Sequence, residues 1–236
     1  MDSHAGGSIG DRLNIIREQI CRAELTSGRA QGTVRLVGAT KTVSPERIRE
    51  ALVAGLTIAG ENRLQEALPK IDALQGESIS WHFIGQLQRR KVRSVIGVFD
   101  LIHSVDSLEL AEEINRRAES AGLRQAILLE VNIAGEKTKA GFHPDDLERI
   151  LPELGNLAHV AVRGLMGIPP QEHVAEEARS YFRTLREFAR RLSQQAIPGI
   201  AMDELSMGMS NDFQAAIEEG ATLVRIGTAI FGRRHV

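Results

Sequence analysis

Short apolar segments rich in β-branched residues alternate with longer amphipathic segments along most of the chain, and this alternation constrains the fold most. Strands that alternate with helices form βαβ units, and such units build a parallel sheet. Eight segments have the composition of strands, at residues 34–39, 56–59, 81–84, 99–103, 126–131, 160–165, 204–206 and 223–226. Because eight units fill a chain of 236 residues, we predict a single α/β domain over residues 1–236, a closed (β/α)8 TIM-type barrel rather than an open doubly wound sheet. Residues 1–7 are expected to be disordered.

The segments between the strand candidates have helical spacing and helical boundary signals. An extra helix, residues 8–28, precedes the first strand. Ser44 and Pro45 suit the N-cap and first position of the next helix, which ends near Gly55. Further helices are predicted at residues 62–74, 88–95, 107–121, 144–154, 174–195 and 210–219. Aromatic residues make up only 4% of the chain, so the core must be mainly aliphatic, as barrel interiors are.

Charge and composition exclude several classes of partner. With 29 basic and 31 acidic residues the net charge is −2, which gives no strong field to attract nucleic acid or an anionic membrane. The local basic run at residues 89–93 is typical of a solvated helix face. No apolar run approaches the roughly 20 residues that a membrane helix needs, and the first residues lack the regions of a signal peptide. A single cysteine, Cys21, allows no internal disulfide, and we expect a cytoplasmic monomer.

Lys41 is the most informative residue at the ends of the predicted strands. Active sites of such barrels lie at the carboxyl ends of the strands, and Lys41 follows the first strand almost directly. With its stem among apolar groups, its charged form would be disfavoured, and the neutral amine could form a Schiff base with an aldehyde. The alternative is an ordinary surface lysine on a loop.

Two blocks near the carboxyl terminus favour a phosphate site. Residues 205–212 and 224–232 bring glycines and hydroxyl side chains to two loop–helix junctions, after the seventh and eighth strands. The alternative is a pair of ordinary helix caps, with Ser210 as an N-cap. Arg225, inside the last strand candidate, needs a core carboxylate or a bound ligand as its partner. A Schiff-base lysine, a phosphate cradle and a cation together describe a site for pyridoxal 5′-phosphate (PLP).

The chain resembles the pyridoxal phosphate homeostasis protein family, whose members are similar to the amino-terminal barrel of alanine racemase. The resemblance spans residues 37 to 234, and the pair LSMGMS and RIGTAIFG is its most specific part. The other matching segments are VGATKTVSPERIREALVAG, GENRLQEALPKI, WHFIGQLQRRK, LLEVNIAGEKTKAGF and VRGLMGIPP. Arg90 departs from the pattern, since the family usually has Asn there. This puts in doubt a contact at that helix start but not the cofactor site.

The resemblance implies a role for each matching residue. Lys41 would carry PLP as the internal aldimine, and Arg225 would face the pyridine nitrogen. Because arginine is effectively always protonated, it can donate a hydrogen bond to that nitrogen but cannot protonate it, which leaves the ring a weaker electron sink. The other implied ligands are Ser206, Gly227, Thr228 and Ser210 for the phosphate, and Asn62 and His82 around the ring.

Several features favour holding the cofactor over catalysis. A racemase needs two acid–base groups on opposite faces of its substrate. In the alanine racemase family, which this barrel resembles, the second group is a tyrosine from a following β domain. Here the sequence ends four residues after Gly232, and its only tyrosine, Tyr181, lies in the helical stretch 174–195.

We therefore predict a non-catalytic PLP-binding protein of vitamin B6 homeostasis, which buffers PLP or delivers it to apo forms of PLP-dependent enzymes. One alternative is a PLP-dependent amino-acid racemase-like enzyme with weak activity. Another is a Schiff-base aldolase acting on sugar phosphates, although such enzymes commonly carry their lysine on a later strand than Lys41.

Overall fold

The chain forms a closed barrel of eight parallel strands. The structure is a computed structural model that describes residues 7–136, 139–170 and 175–232. Neighbouring strands pair in chain order, and the last pairs with the first. The strands are β1 (Arg35–Ala39), β2 (Ile58–Glu61), β3 (Ser80–Phe83), β4 (Leu101–Val105), β5 (Gln125–Glu130), β6 (Val160–Met166), β7 (Ile200–Ser206) and β8 (Leu223–Ile226). The predicted (β/α)8 barrel is confirmed, and each predicted strand overlaps an observed one.

Helices follow the strands and surround the barrel. They are α1 (Ile9–Thr26), α2 (Pro45–Val53), α3 (Leu64–Ala73), α4 (Leu108–Ser120), α5 (Pro144–Gly155), α6 (Ala175–Ser193), α7 (Phe213–Glu218) and α8 (Thr228–Phe231). Between β3 and β4 lies a 3₁₀ helix, Arg89–Ser94, where the sequence predicts an ordinary helix turn. The short α8 is an element that the hydrophobic pattern did not predict. Position 174, where the predicted helix 174–195 begins, lies outside the described residues.

The last part of the β7–α7 connection differs from prediction. Residues 210–212 form a turn, and the carboxylate of Asp212 accepts the N–H of Met209 at 2.6 Å. Because this turn closes on itself, α7 begins only at Phe213, and Ser210 is not its N-cap. The prediction of a helix over 210–219 was therefore wrong at its start.

The amino-terminal helix α1 fastens the seam where the barrel closes. Ser8 and Asp11 form a capping box at its start, and Leu13 and Ile16 are buried beneath it. The helix packs against α2, α7 and α8, and Arg12 donates from Nε to the carbonyl oxygen of Ile230 at 2.6 Å. Helix α1 therefore packs against the helices of the first and last βα units, which are neighbours where β1 pairs with β8. The expected disorder of residues 1–7 falls outside the described residues except at Gly7.

The core is aliphatic, as the low aromatic content predicts. One cluster fills the barrel interior with residues from alternating positions of the strands, namely Val37, Ile58, Leu101, Leu128, Met166 and Leu223. A larger cluster packs the outer face of the sheet against the helices. No helix within the described ranges combines the length and the apolar character that crossing a membrane requires.

Candidate functional site

Lys41 lies in the turn that leaves β1 at the carboxyl end of the barrel. The residue is exposed, so the expectation that its stem lies among apolar groups was wrong. The next residue, Thr42, has φ of 62°, a left-handed backbone that costs a residue with a Cβ about 1–2 kcal/mol. Its N–H donates to Glu66 Oε2 at 3.2 Å. Contacts to α3 and below the turn therefore hold the lysine-bearing segment in an uncommon conformation.

A buried ion pair lies directly beneath this turn. Lys70 of α3 donates from Nζ to Glu61 Oε1 at 2.7 Å and to the carbonyl oxygen of Thr40 at 2.8 Å. The Thr40 hydroxyl donates to the same Glu61 oxygen at 2.7 Å. All three residues are buried. Lys70 thus connects α3 and the end of β2 to the residue that precedes Lys41.

Asn62 follows β2 and contributes an acceptor without a partner. Its Oδ1 atom is buried and accepts no hydrogen bond from the described residues. The backbone of Asn62 also lies against Gly85, where a Cβ would come within 2.2 Å of the Asn62 carbonyl oxygen. An unsatisfied buried acceptor costs free energy, so this atom is a place where a donor from a ligand fits.

A chain of hydrogen bonds crosses the barrel interior from β3 to β8. His82 Nδ1 lies 2.9 Å from His103 Nε2, and His103 Nδ1 lies 2.8 Å from the hydroxyl of Ser206. Arg225 donates from Nη1 to that hydroxyl at 2.5 Å and to the Ser206 carbonyl oxygen at 2.8 Å. It also donates from Nη2 to the carbonyl oxygen of Gly167 at 3.2 Å. Arg225 is therefore buried among neutral acceptors.

Burial shifts the titration of the groups in this interior. It lowers the pKa of His82 to about 4 and that of Arg225 to about 10. Burial, reinforced by His82 and Arg225, also holds the pKa of His103 well below its usual range. Near neutral pH both histidines are uncharged, while the arginine remains a cation.

Glu130, the last residue of β5, is a second group with an altered charge state. Burial raises its pKa to about 7, and the nearby Asp106 carboxylate adds to the effect, whereas Arg225 opposes it. A carboxyl group with this pKa exchanges protons at neutral pH. Glu130 is therefore the group in this part of the barrel best matched to acid–base chemistry.

The ends of β1 and β8 leave the sheet side by side and form the junction predicted to hold a phosphate. Gly38 pairs with Ile226, and a Cβ on Gly227 would lie 3.2 Å from the carbonyl oxygen of Ala39. Gly227 is the N-cap of α8, whose first residue, Thr228, is exposed. The first N–H groups of a helix have no partner within it, so this junction offers donors beside the lysine-bearing turn.

The two serines predicted as phosphate ligands lie in different surroundings. Ser210 is half-buried in the turn after β7. Ser206 is fully buried at the end of β7, and its hydroxyl already contacts His103 and Arg225. The structure therefore leaves Ser210 in a loop and includes Ser206 in the interior hydrogen-bond chain.

Several residues of the site carry no role in the sequence prediction. Thr40 lies in the segment VGATKTVSPERIREALVAG, and Glu61 and Lys70 lie in GENRLQEALPKI, so all three belong to segments that carry the family resemblance. Thr40 and Glu61 also directly flank the predicted site residues Lys41 and Asn62. His103 was the final residue of a strand candidate, and a buried histidine at a barrel-strand end was the available signal. Arg90, in place of the usual Asn, is exposed and donates to the Gln88 side chain at 3.1 Å.

The closed barrel and the residues at the carboxyl ends of its strands define the class of protein to which the chain belongs. The chain matches the family model described as "Alanine racemase, N-terminal domain" over residues 25–235.

Two relatives and one solved structure make the assignment narrower. A pyridoxal phosphate homeostasis protein of Aquifex aeolicus (strain VF5) is 47% identical over 224 residues, which cover 95% of this chain and 97% of the relative. One of Haemophilus influenzae is 38% identical over 97% of both chains. The structure of PipY of Synechococcus elongatus PCC7942 with PLP bound has a TM-score of 0.85 and 40% identity, covering 95% of this chain and all of that one. This chain belongs to the pyridoxal phosphate homeostasis protein family.

Proposed function

We propose that this protein binds PLP as a Schiff base on Lys41 and buffers it for delivery to apo-enzymes in the cytoplasm. The observation that carries the proposal is the position of Lys41 beside the Gly227–Thr228 junction, at the mouth of the barrel. The interior of this barrel holds Arg225, which has no carboxylate at ion-pair distance among the described residues. The names of the relatives and the PLP bound to the related PipY structure support it.

The residues present fit PLP in their chemistry. Lys41 supplies an amine for the aldehyde, and the Gly227–Thr228 junction supplies donors for the phosphate. Arg225 uses three of its five N–H groups within the described residues, which leaves donors for a ring nitrogen. The unsatisfied Oδ1 of Asn62 can accept a further hydrogen bond. His82 supports this set from the barrel interior.

Bound PLP supplies an aldehyde and an electron-withdrawing ring, and this chain's residues govern how strongly the ring can act. Arg225 stays protonated near neutral pH, since even its lowered pKa is about 10. It can donate a hydrogen bond to the ring nitrogen without transferring a proton. This arrangement favours retention of the cofactor over the stabilisation of carbanions.

The exposure of Lys41 supports delivery. A cofactor held by an exposed lysine would be open to water, which would release it as the free aldehyde, and to an incoming amine, which would take it over and free the lysine amine. Tyr181, the only tyrosine of the chain, is half-buried on α6 in the outer layer. It is therefore not at the strand ends where a second acid–base group would be needed.

Transfer of PLP tests this function directly. The loaded protein, freed of unbound PLP, is mixed with an apo form of a PLP-dependent enzyme, and recovery of that enzyme's activity is followed. We expect transfer faster than from PLP on non-specific protein lysines, and none from Lys41→Ala put through the same loading. Lys91→Ala is the matched control and should behave as wild type. Absence of transfer from the wild type would overturn the carrier role. Light scattering checks the expected monomer.

A weak amino-acid racemase remains the second candidate because Glu130 has a pKa of about 7 and lies near Arg225. A chiral assay over a panel of L-amino acids separates the two functions. Turnover that is abolished by both Lys41→Ala and Glu130→Gln would favour the racemase. We expect no sustained turnover.

A further inference from the structure

The hydrogen-bond chain between Arg225 and His82 has one direction in which the proton of the Ser206 hydroxyl finds an acceptor. A guanidinium has donors and no acceptor, so the Ser206 hydroxyl oxygen must accept from Arg225. The Ser206 proton then has one acceptor within 2.8 Å, the Nδ1 atom of His103. The opposite direction would leave this proton without an acceptor in the described part of the chain.

The same logic assigns the protons of both histidines. If His103 accepts at Nδ1, its proton is on Nε2, from which it donates to His82 Nδ1 at 2.9 Å. His82 in turn carries its proton on Nε2. Both rings are buried, with 3% and 0% of their surface exposed, so neutral rings in fixed tautomers are the arrangement that burial favours. The low pKa of each agrees with that state.

We propose that His103 and His82 are positioning residues that act through Ser206 to hold the Arg225 guanidinium toward the pyridine nitrogen of PLP. In this proposal the Ser206 hydroxyl belongs to the hydrogen-bond chain and is not one of the phosphate ligands. The part that concerns PLP rests on the proposed function, whereas the direction of the hydrogen bonds does not.

The physical reason for such a device is the burial of Arg225. A buried guanidinium paired with a carboxylate would have its charge neutralised inside the protein. Here its hydrogen-bond partners are a hydroxyl and two carbonyl oxygens, and the histidines extend that neutral support. These contacts fix the orientation of the guanidinium, while the nearby Glu130 and Asp212 carboxylates interact with its charge without being among its hydrogen-bond partners.

The first test needs no cofactor. Long-range ¹H–¹⁵N spectra of the full ¹⁵N-labelled chain at neutral pH report the tautomer of each histidine, with His82→Gln and His103→Asn used for assignment. We expect both rings neutral and protonated on Nε2. A ring protonated on Nδ1, or a charged imidazolium, would overturn the proposed direction.

The second test separates positioning from general structural support. Affinities are compared for PLP and for its 1-deaza analogue, in which C–H replaces the ring nitrogen. Wild type should prefer PLP by on the order of 10- to 100-fold, the value of a hydrogen bond to a charged donor. His103→Leu should abolish this preference, and His103→Asn, which keeps an acceptor near the Nδ1 position, should restore most of it.

The outcomes distinguish this inference from the proposed function. If His103→Leu weakens both aldehydes equally, His103 is only structural and the positioning role fails. If wild type binds neither aldehyde, the proposed function fails while the tautomer result stands. If His103→Leu does not fold, His103→Asn still tests the proposal. Loss of the preference for PLP over the 1-deaza analogue in His103→Asn would contradict it.

Discussion

Two cations are buried near the carboxyl end of this barrel, and the protein holds them in opposite ways. Lys70, on the β1–β2 side, donates to the carboxylate of Glu61 at 2.7 Å. Arg225, on the β7–β8 side, donates to one hydroxyl and two carbonyl oxygens. Each cation lies next to a segment with a proposed role, the lysine-bearing turn in one case and the ring site in the other.

The different partners of Lys70 and Arg225 show that a buried cation can stabilise the fold or can be held in position to interact with a ligand. The charge of Lys70 is neutralised within the fold, and its remaining contact fixes Thr40, so this pair stabilises the turn that carries Lys41. The hydrogen bonds of Arg225 go to a hydroxyl and two carbonyl dipoles, which orient the guanidinium, and the nearby Glu130 and Asp212 carboxylates interact with its charge without being among these hydrogen-bond partners. Lys70 forms its ion pair within the protein, whereas Arg225 keeps N–H groups with which the proposed ligand can interact.

The largest expected effect comes from breaking the paired cation. Lys70→Met leaves the Glu61 carboxylate buried without its counterion, and breaking such a pair costs about 3–5 kcal/mol. Urea unfolding at neutral pH measures the loss. The double variant Glu61→Gln, Lys70→Met removes both charges and should recover much of it. A loss below about 1 kcal/mol for Lys70→Met would contradict the buried ion pair.

The pH dependence of stability tests the electrostatics around Arg225. The folded-state pKa of Glu130, about 7, lies above its ordinary value of 4.5, so the unfolded chain ionises first as pH rises. Wild-type stability should therefore fall relative to Glu130→Gln between pH 4.5 and 7, by about 3 kcal/mol. Unfolding curves across this range measure the difference, and Glu112→Gln, exposed on α4, is the control. A difference independent of pH would refute the raised pKa.

Removal of the second cation should cost less than removal of the first. Arg225→Met leaves a hydroxyl and two carbonyl groups short of donors, but within the described part of the chain it deprives no carboxylate of an ion-pair partner, so we expect a loss of about 1–3 kcal/mol. The same urea titration measures the change in the free energy of unfolding, and Arg225→Lys is a variant that keeps a positive charge. The contrast between the two cations breaks down if Arg225→Met costs as much as Lys70→Met.

The smallest effect is expected at the seam between the two regions. An alanine Cβ at Gly227 would lie 3.2 Å from the Ala39 carbonyl oxygen, a tight contact that small shifts can relieve. Gly227→Ala should change stability by less than about 1 kcal/mol. It should weaken PLP binding more visibly, because the phosphate junction loses close backbone access. Unchanged PLP affinity would remove Gly227 from the phosphate site.

Prediction from the sequence succeeded where a local pattern determines the structure. The alternation of apolar and amphipathic segments predicts all eight strands, and the position of Lys41 after β1 follows from it. The start of α7 was mispredicted because the Asp212–Met209 turn competes with helix formation there. The exposure of Lys41 depends on how the turn leaves the barrel, which periodicity does not encode.

The two buried cation sites needed the three-dimensional structure. Glu61 and Lys70 are nine positions apart in the segment GENRLQEALPKI, but that spacing does not by itself indicate that their side chains form a buried ion pair. His103 and Ser206 are separated by 103 positions and meet because β4 and β7 belong to one closed barrel, inside which their side chains come within hydrogen-bond distance. Such contacts depend on strand register and barrel closure, so the sequence did not predict that the Ser206 hydroxyl contacts His103 and Arg225. The role of Ser206 as a phosphate ligand, which the family resemblance implies, stays a prediction.

Borohydride reduction of the PLP-loaded protein, followed by peptide mapping, tests the central claim most directly. Reduction turns a Schiff base into a stable secondary amine, so the modified lysine can be identified by mass. We expect one major adduct, on Lys41, that is absent from Lys41→Ala and unchanged in Lys91→Ala. A major adduct on any other lysine, or none after incubation with PLP, would contradict it.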